Sequence, residues 1–182
     1  ALELEGVAEA WSRQGAALPA THASATRDHW LAHAPRASML HLACHGQFRA
    51  DNPAFSHLQL HDAPLTLEEI AQGRLQADLV VLSACDSGVS RIRPGNELLG
   101  LVRAFGLAGA RAVIASHWPV DDAATAGLMV ELHRRLAAGH PPSLALSHAQ
   151  RAAAAQGAHP FAWAAFALHE VRPGEGPTAA SG

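Results

Sequence analysis

A chain of 182 residues, 49% of them hydrophobic, can bury one substantial core and reads as a single domain. Its formal net charge of -3, pI near 6.5 and thirteen basic residues, all Arg and scattered singly or in pairs, exclude the dense basic face of a nucleic-acid or acidic-membrane binder. No apolar stretch reaches the roughly 20 residues that span a bilayer, and no charged-then-apolar leader opens the chain. The expectation is a soluble, cytoplasmic protein with neither nucleic acid nor membrane among its partners. Two cysteines, Cys44 and Cys85, do not make a disulfide framework, and a reducing compartment leaves a thiol available as a nucleophile.

In chain order, Leu2 to Gln14 has a helical pattern, Gly15 to Pro19 reads as a short extended piece, and Thr26 to Ala34 as a second helix. The runs Ser38 to Cys44 and Asp78 to Ala84 are short, apolar and closed by small residues, as buried strands are. Between them "APLTLEEIAQGRL" places Thr66 as N-cap and Glu69 at the capping-box position of a short helix. "NELLGLVRAFGLAG" puts Leu98, Val102 and Phe105 on one helical face, with Gly109 as its stop, and "ARAVIAS" follows as a third buried strand. "HWPVDDAAT" then supplies a loop and an Asp cap for a helix with Leu128, Leu132 and Leu136 on one stripe. Pro142 and Ser143 open a further helix to about Ala155, and "FAWAAFALHEV" reads as a last strand. The Gly/Pro/Ser-rich tail from 173 to 182 is expected to be disordered. Alternation of buried strands with helices points to an α/β fold with a largely parallel sheet, without internal repeat or second domain.

Ligands of such sheets bind beyond the carboxyl ends of the strands. "MLHLACHGQF" and "ADLVVLSACDSG" both end an apolar run in small residues, one reactive side chain and a glycine. If the two strands are neighbours, as consecutive parallel strands usually are, His45 and Cys85 lie side by side. A cysteine nucleophile needs an imidazole to handle protons, and glycines that let a substrate backbone approach and amides face an oxyanion. The plainer readings are a cysteine packed inertly at a strand end and a loop histidine bonded to its surroundings. A metal site at His41, Cys44 and His45 is disfavoured, because on one strand 41 and 45 share a face while 44 points the other way. HExxH, CxxC and GxSxG spacings do not occur.

"HLACHG", followed by the cysteine of "LVVLSACDSG", resembles the CHAT domains, caspase-like cysteine peptidases of clan CD related to caspases and separases. The resemblance continues through "NELLGLVRAFGLAGARAVIASHWPVDDAAT" to "HPFAWAAFALHE". It implies a caspase-like three-layer α/β sandwich over residues 1–172, a mostly parallel sheet flanked by helices with its last strand antiparallel, lacking one or two strands at its front. It further implies Cys85 as nucleophile, His45 as general acid/base, and the backbone amides of Cys85 and Gly46 as oxyanion hole, with no cofactor and no metal. Departures from the family pattern are Cys44 where Thr or Ser is usual, Asp86 and Ser87 for Glu and Thr, His117 for Leu, and Glu170 for Gly; none removes a catalytic group. Similarity of "HWPVDDAAT" to a separase turn implies a substrate pocket with Trp118 as wall and Asp121 or Asp122 attracting a basic residue before the cut, although an Asp before a helix is first of all an N-cap. The polar loop "GVSRIRPGN" is expected to be mobile without substrate. The partner implied is a protein or peptide substrate, with regulatory repeats such as TPR elsewhere in the full-length protein. The rival function class is a catalytically silent CHAT domain that serves as an interaction or regulatory module.

Overall fold

Four short apolar runs form the central sheet. The computed structural model describes residues 2–13, 25–47, 56–83, 96–120 and 122–171. Among them β1 (Met39–Leu42), β5 (Leu79–Leu82), β6 (Ala112–Ser116) and β7 (Phe166–Glu170) lie in the order β1-β5-β6-β7. β1, β5 and β6 are parallel, and β7 returns antiparallel to β6. Alternation along the strands divides the core in two. Val80, Leu82, Val113 and Ala115 face one cluster with Leu101, Val102 and Phe105 of α4 (Asn96–Ala108). Leu79, Val81, Ala112 and Ile114 face another with Leu128, Met129 and Leu132 of α5 (Asp122–Ala137) and Ala145, Leu146 and Ala149 of α6 (Pro142–Ala155). The result is the expected three-layer sandwich with an antiparallel last strand.

The helices stop and start where their ends are satisfied. Thr66 caps α3 (Leu67–Gln72) by accepting from the Glu69 amide, and the Glu69 carboxylate accepts from the Thr66 amide in return. Arg27, at the start of α2 (Arg27–His33), pairs with that carboxylate and is the main cause of its pKa falling below the usual range, followed by the Thr66 amide. Gly109 ends α4 at φ +113, a region closed to most L-residues, and a Cβ there would stand 2.5 Å from the Leu75 carbonyl oxygen. Gly109→Ala should therefore destabilise the protein by about 2 to 3 kcal/mol. Thermal unfolding would register this as a fall of about 5 to 10 °C in Tm.

α1 (Leu2–Ser12) lies against α5, and Gly6 permits the approach, since a Cβ there would meet the Val130 Cγ2 methyl at 2.6 Å. None of the described helices is long and apolar enough to cross a membrane.

Two expectations need correction. "FAWAAFALHEV" is not one strand: Pro160–Trp163 form a short helix, α7, with Pro160 at its first turn and the His159 side chain accepting from the Phe161 amide, and β7 begins only at Phe166. The segment after β1 is also not simply a loop. β2 (His45–Gln47), β3 (His57–Gln59) and β4 (Pro64–Thr66) make a second, antiparallel sheet in the order β2-β3-β4. Gly46, Leu58 and Leu65 are cross-strand partners and form its buried row. The extended piece at Gly15 to Pro19, the "GVSRIRPGN" loop up to Gly95 and the 173–182 tail lie outside the described residues.

Candidate functional site

The sheet brings the carboxyl ends of β1 and β5 together. Leu42 pairs with Leu82 in parallel register, and the Ser83 amide donates to the Leu42 carbonyl (3.2 Å), so the pairing runs one residue past the formal end of β5. His45 stands three residues after Leu42, and Cys85 three residues after Leu82. His45 opens β2 on its exposed side, while Gly46 beside it is buried opposite Leu58. The side-by-side strands expected from sequence are present. Cys85 and Asp121 lie outside the described residues, as does the side chain of Asp122, whose backbone begins α5.

His41, Cys44 and His45 do not lie on one strand, because β1 ends at Leu42 and His45 belongs to the other sheet, so strand alternation does not set their directions. The structure separates the side chains by different means. Cys44 is a free thiol packed against the α4-side cluster, and burial pushes its pKa up to about 11. It is thus held as a thiol, a poor nucleophile at neutral pH. His41 turns to the opposite face of the sheet, toward α1 and α5. No group of three or more metal-ligating side chains occurs among the described residues.

Trp118, in the turn after β6, is half-buried against the α5-side cluster. Its indole N–H donates to the Phe161 carbonyl (2.8 Å), and its ring lies 5.7 Å from that of Phe161. The turn is thereby fastened to α7, with the Trp118 ring partly open to solvent. Val120 is buried just before the start of α5.

A chain of polar groups that sequence reasoning did not assemble runs beneath the strand ends. The Trp11 indole N–H of α1 contacts His133 Nδ1 on α5 (3.1 Å), His133 Nε2 meets His41 Nδ1 on β1 (2.8 Å), and His41 Nε2 meets Ser83 Oγ (3.0 Å). The two imidazoles are within 6° of parallel. Glu3 Oε1 of α1 lies 2.9 Å from His41 Nε2 but is not aligned to accept from it, and is buried without a hydrogen bond. His133 is 0% exposed, and its pKa is driven down to about 3, first by burial and second by its neighbour His41. His133 falls outside the Leu128, Leu132, Leu136 stripe by which the helix was recognised, and nothing local marks it. The available signal was His41 and Ser83, polar residues within or directly after buried apolar runs.

A second histidine pair lies at the other edge, where His117 and His169 have ring centroids 5.3 Å apart. Burial, and then His117, lowers the pKa of His169.

Comparison with known proteins gives the family. Residues 2–170 match the profile described as CHAT domain. The chain is also similar to tetratricopeptide repeat protein 28 of Mus musculus, 33% identical over 111 residues that make up 60% of this chain and 4% of that protein. To its counterpart of Homo sapiens it is 32% identical over the same extents. The chain thus spans a small fraction of the length of these relatives. With the profile covering nearly all of the sandwich just described, the chain belongs to the CHAT domain family of the caspase-like superfamily, clan CD.

Proposed function

We propose that the protein is a cysteine endopeptidase that hydrolyses peptide bonds through His45 and Cys85. The observation that carries this reading is the parallel register of Leu42 with Leu82, from which the two residues are displaced by the same three positions along the chain. In the proposed reaction His45 takes the Cys85 proton, and the thiolate adds to the scissile carbonyl. The amides of Gly46 and Cys85 stabilise the oxyanion, and the imidazolium then protonates the leaving amine. Water, activated by the same imidazole, releases the acyl group. The burial of Gly46 and the inert character of Cys44 support the assignment: the first gives a backbone amide a fixed frame, and the second removes the competing sulfur. A peptidyl acyloxymethyl ketone should alkylate the protein once, and peptide mapping by mass spectrometry should find the adduct on Cys85. An unlabelled Cys85 in folded protein would leave the interaction-module reading in its place.

The substrate preference we propose is Arg or Lys before the scissile bond. Asp121 and Asp122 follow β6 in the chain, β6 runs parallel to β5, and Trp118, three residues before Asp121 in sequence, is pinned to α7. A carboxylate there would bind a guanidinium by charge-assisted hydrogen bonds and repel an acidic side chain. A peptide-library profile is expected to be dominated by Arg or Lys at that position and to lose the preference in Asp122→Ala or Asp121→Ala. A dominant acidic or apolar residue would remove the pocket from the account without touching the dyad.

A further inference from the structure

Proton direction in the buried chain follows from its first member. Indole has one N–H and no acceptor, so His133 Nδ1 must accept from Trp11 and the His133 proton must sit on Nε2. That N–H donates to His41 Nδ1, which places the His41 proton on Nε2, facing Ser83 Oγ. Each group's role is fixed by the one before it, and α1, α5, β1 and the residue after β5 are tied in sequence. A reversed tautomer at His133 would set two donors against each other at Trp11.

The anchorage has a definite location. Ser83 is joined to the β1 side twice, by its amide to the Leu42 carbonyl and by its hydroxyl to His41, and it precedes Cys85 by two residues in the chain. His41 is one residue from Leu42, which precedes His45 by three. We infer that Trp11, His133, His41 and Ser83 form a one-way hydrogen-bond relay by which α1 and α5 hold the ends of β1 and β5, making His41 and His133 positioning residues for the Cys85 and His45 pair. This rests on the peptidase reading only in naming the pair that is positioned. Buried hydrogen-bonded groups of this kind fix strand ends more tightly than apolar packing, because a partner displaced by even one ångström leaves a polar atom unsatisfied. A displacement of that size at a reacting pair costs about a hundredfold in rate.

The test uses the whole chain in a Cys44→Ser background, so that one sulfur remains, and compares Trp11→Phe, His133→Leu and His133→Gln. The Gln amide retains one donor and one acceptor; Leu retains neither. Iodoacetamide alkylation of Cys85 is expected to slow about ten- to a hundredfold in His133→Leu and to recover to within about threefold in His133→Gln, with kcat of peptide cleavage following and KM unchanged. Nitrogen NMR of the imidazoles should show His133 purely as the Nε2–H tautomer in the parent and as a mixture in Trp11→Phe, which also serves if His133→Leu does not fold. Wild-type alkylation in a folded His133→Leu, or an Nδ1–H tautomer at His133 in the parent, overturns the relay. A parent that cleaves no peptide while Cys85 alkylation still falls with Leu and recovers with Gln upholds the relay and removes the peptidase reading instead.

Discussion

Cys85→Ala and His45→Ala should each lower peptide cleavage by about a thousandfold or more while leaving the fold intact, because in the proposed mechanism nucleophilic attack and leaving-group protonation depend on both groups acting as a unit. The double variant should be little worse than either single one, for the same reason. Cys44→Ser should stay within about twofold of the parent. Its thiol is packed against the cluster around Phe105, and burial holds it protonated with a pKa of about 11, so it contributes no thiolate near neutral pH. The measurement is kcat/KM on one peptide for all four proteins, with circular dichroism to establish folding. An inactive Cys44→Ser alongside an active Cys85→Ala would mean that the nucleophile has been assigned to the wrong sulfur.

How much of this was legible in the sequence depended on whether the signal was local. The capping box at Thr66 and Glu69, the Gly109 stop, the Pro142 start of α6 and the buried runs of β5 and β6 are written in adjacent residues, and each appears where expected. β2, β3 and β4 were not legible, because strands of three residues give no alternation to read, and their only common feature is the buried row of Gly46, Leu58 and Leu65 that forms after pairing. "FAWAAFALHEV" misled for a different reason. Aromatic and apolar residues suit a strand, but Pro160 preset a helical turn and the His159 side chain satisfied its amide. The candidate site was half legible. The pairing of β1 with β5 and the place of His45 just beyond β1 followed from pattern alone, while Cys85 lies outside the described residues; the Trp11, His133, His41 and Ser83 relay, by contrast, joins residues up to 122 positions apart and exists only once α1 is laid on α5.

That relay gives the second large effect, a stability that falls with acid before the carboxylates titrate. His133 is neutral when folded, with a pKa near 3 against an ordinary value of 6.5, so below about pH 6.5 the unfolded chain binds a proton that the folded one refuses. The sign is therefore fixed: the contribution is fully present above pH 6.5 and is lost as pH falls toward 3, at about 1.4 kcal/mol per pH unit. By pH 4.5 the loss is about 3 kcal/mol, a large part of a typical domain's stability. The titratable neighbours His41 and Glu3 stay in place in His133→Gln, which keeps a donor and an acceptor but cannot titrate. His169, lowered in the same direction by burial and His117, contributes equally to both proteins and cancels. Glu69 and Glu131, held low chiefly by Arg27 and Arg134, affect the balance only below about their ordinary value of 4.5. Urea unfolding at pH 7.5, 6.5, 5.5 and 4.5 should give parallel behaviour at the upper two values and a parent that loses about 1.4 kcal/mol per unit more than His133→Gln at the lower two. Equal slopes would mean that the folded protein takes up the proton, which a His133 locked between the Trp11 N–H and His41 has no free nitrogen to do.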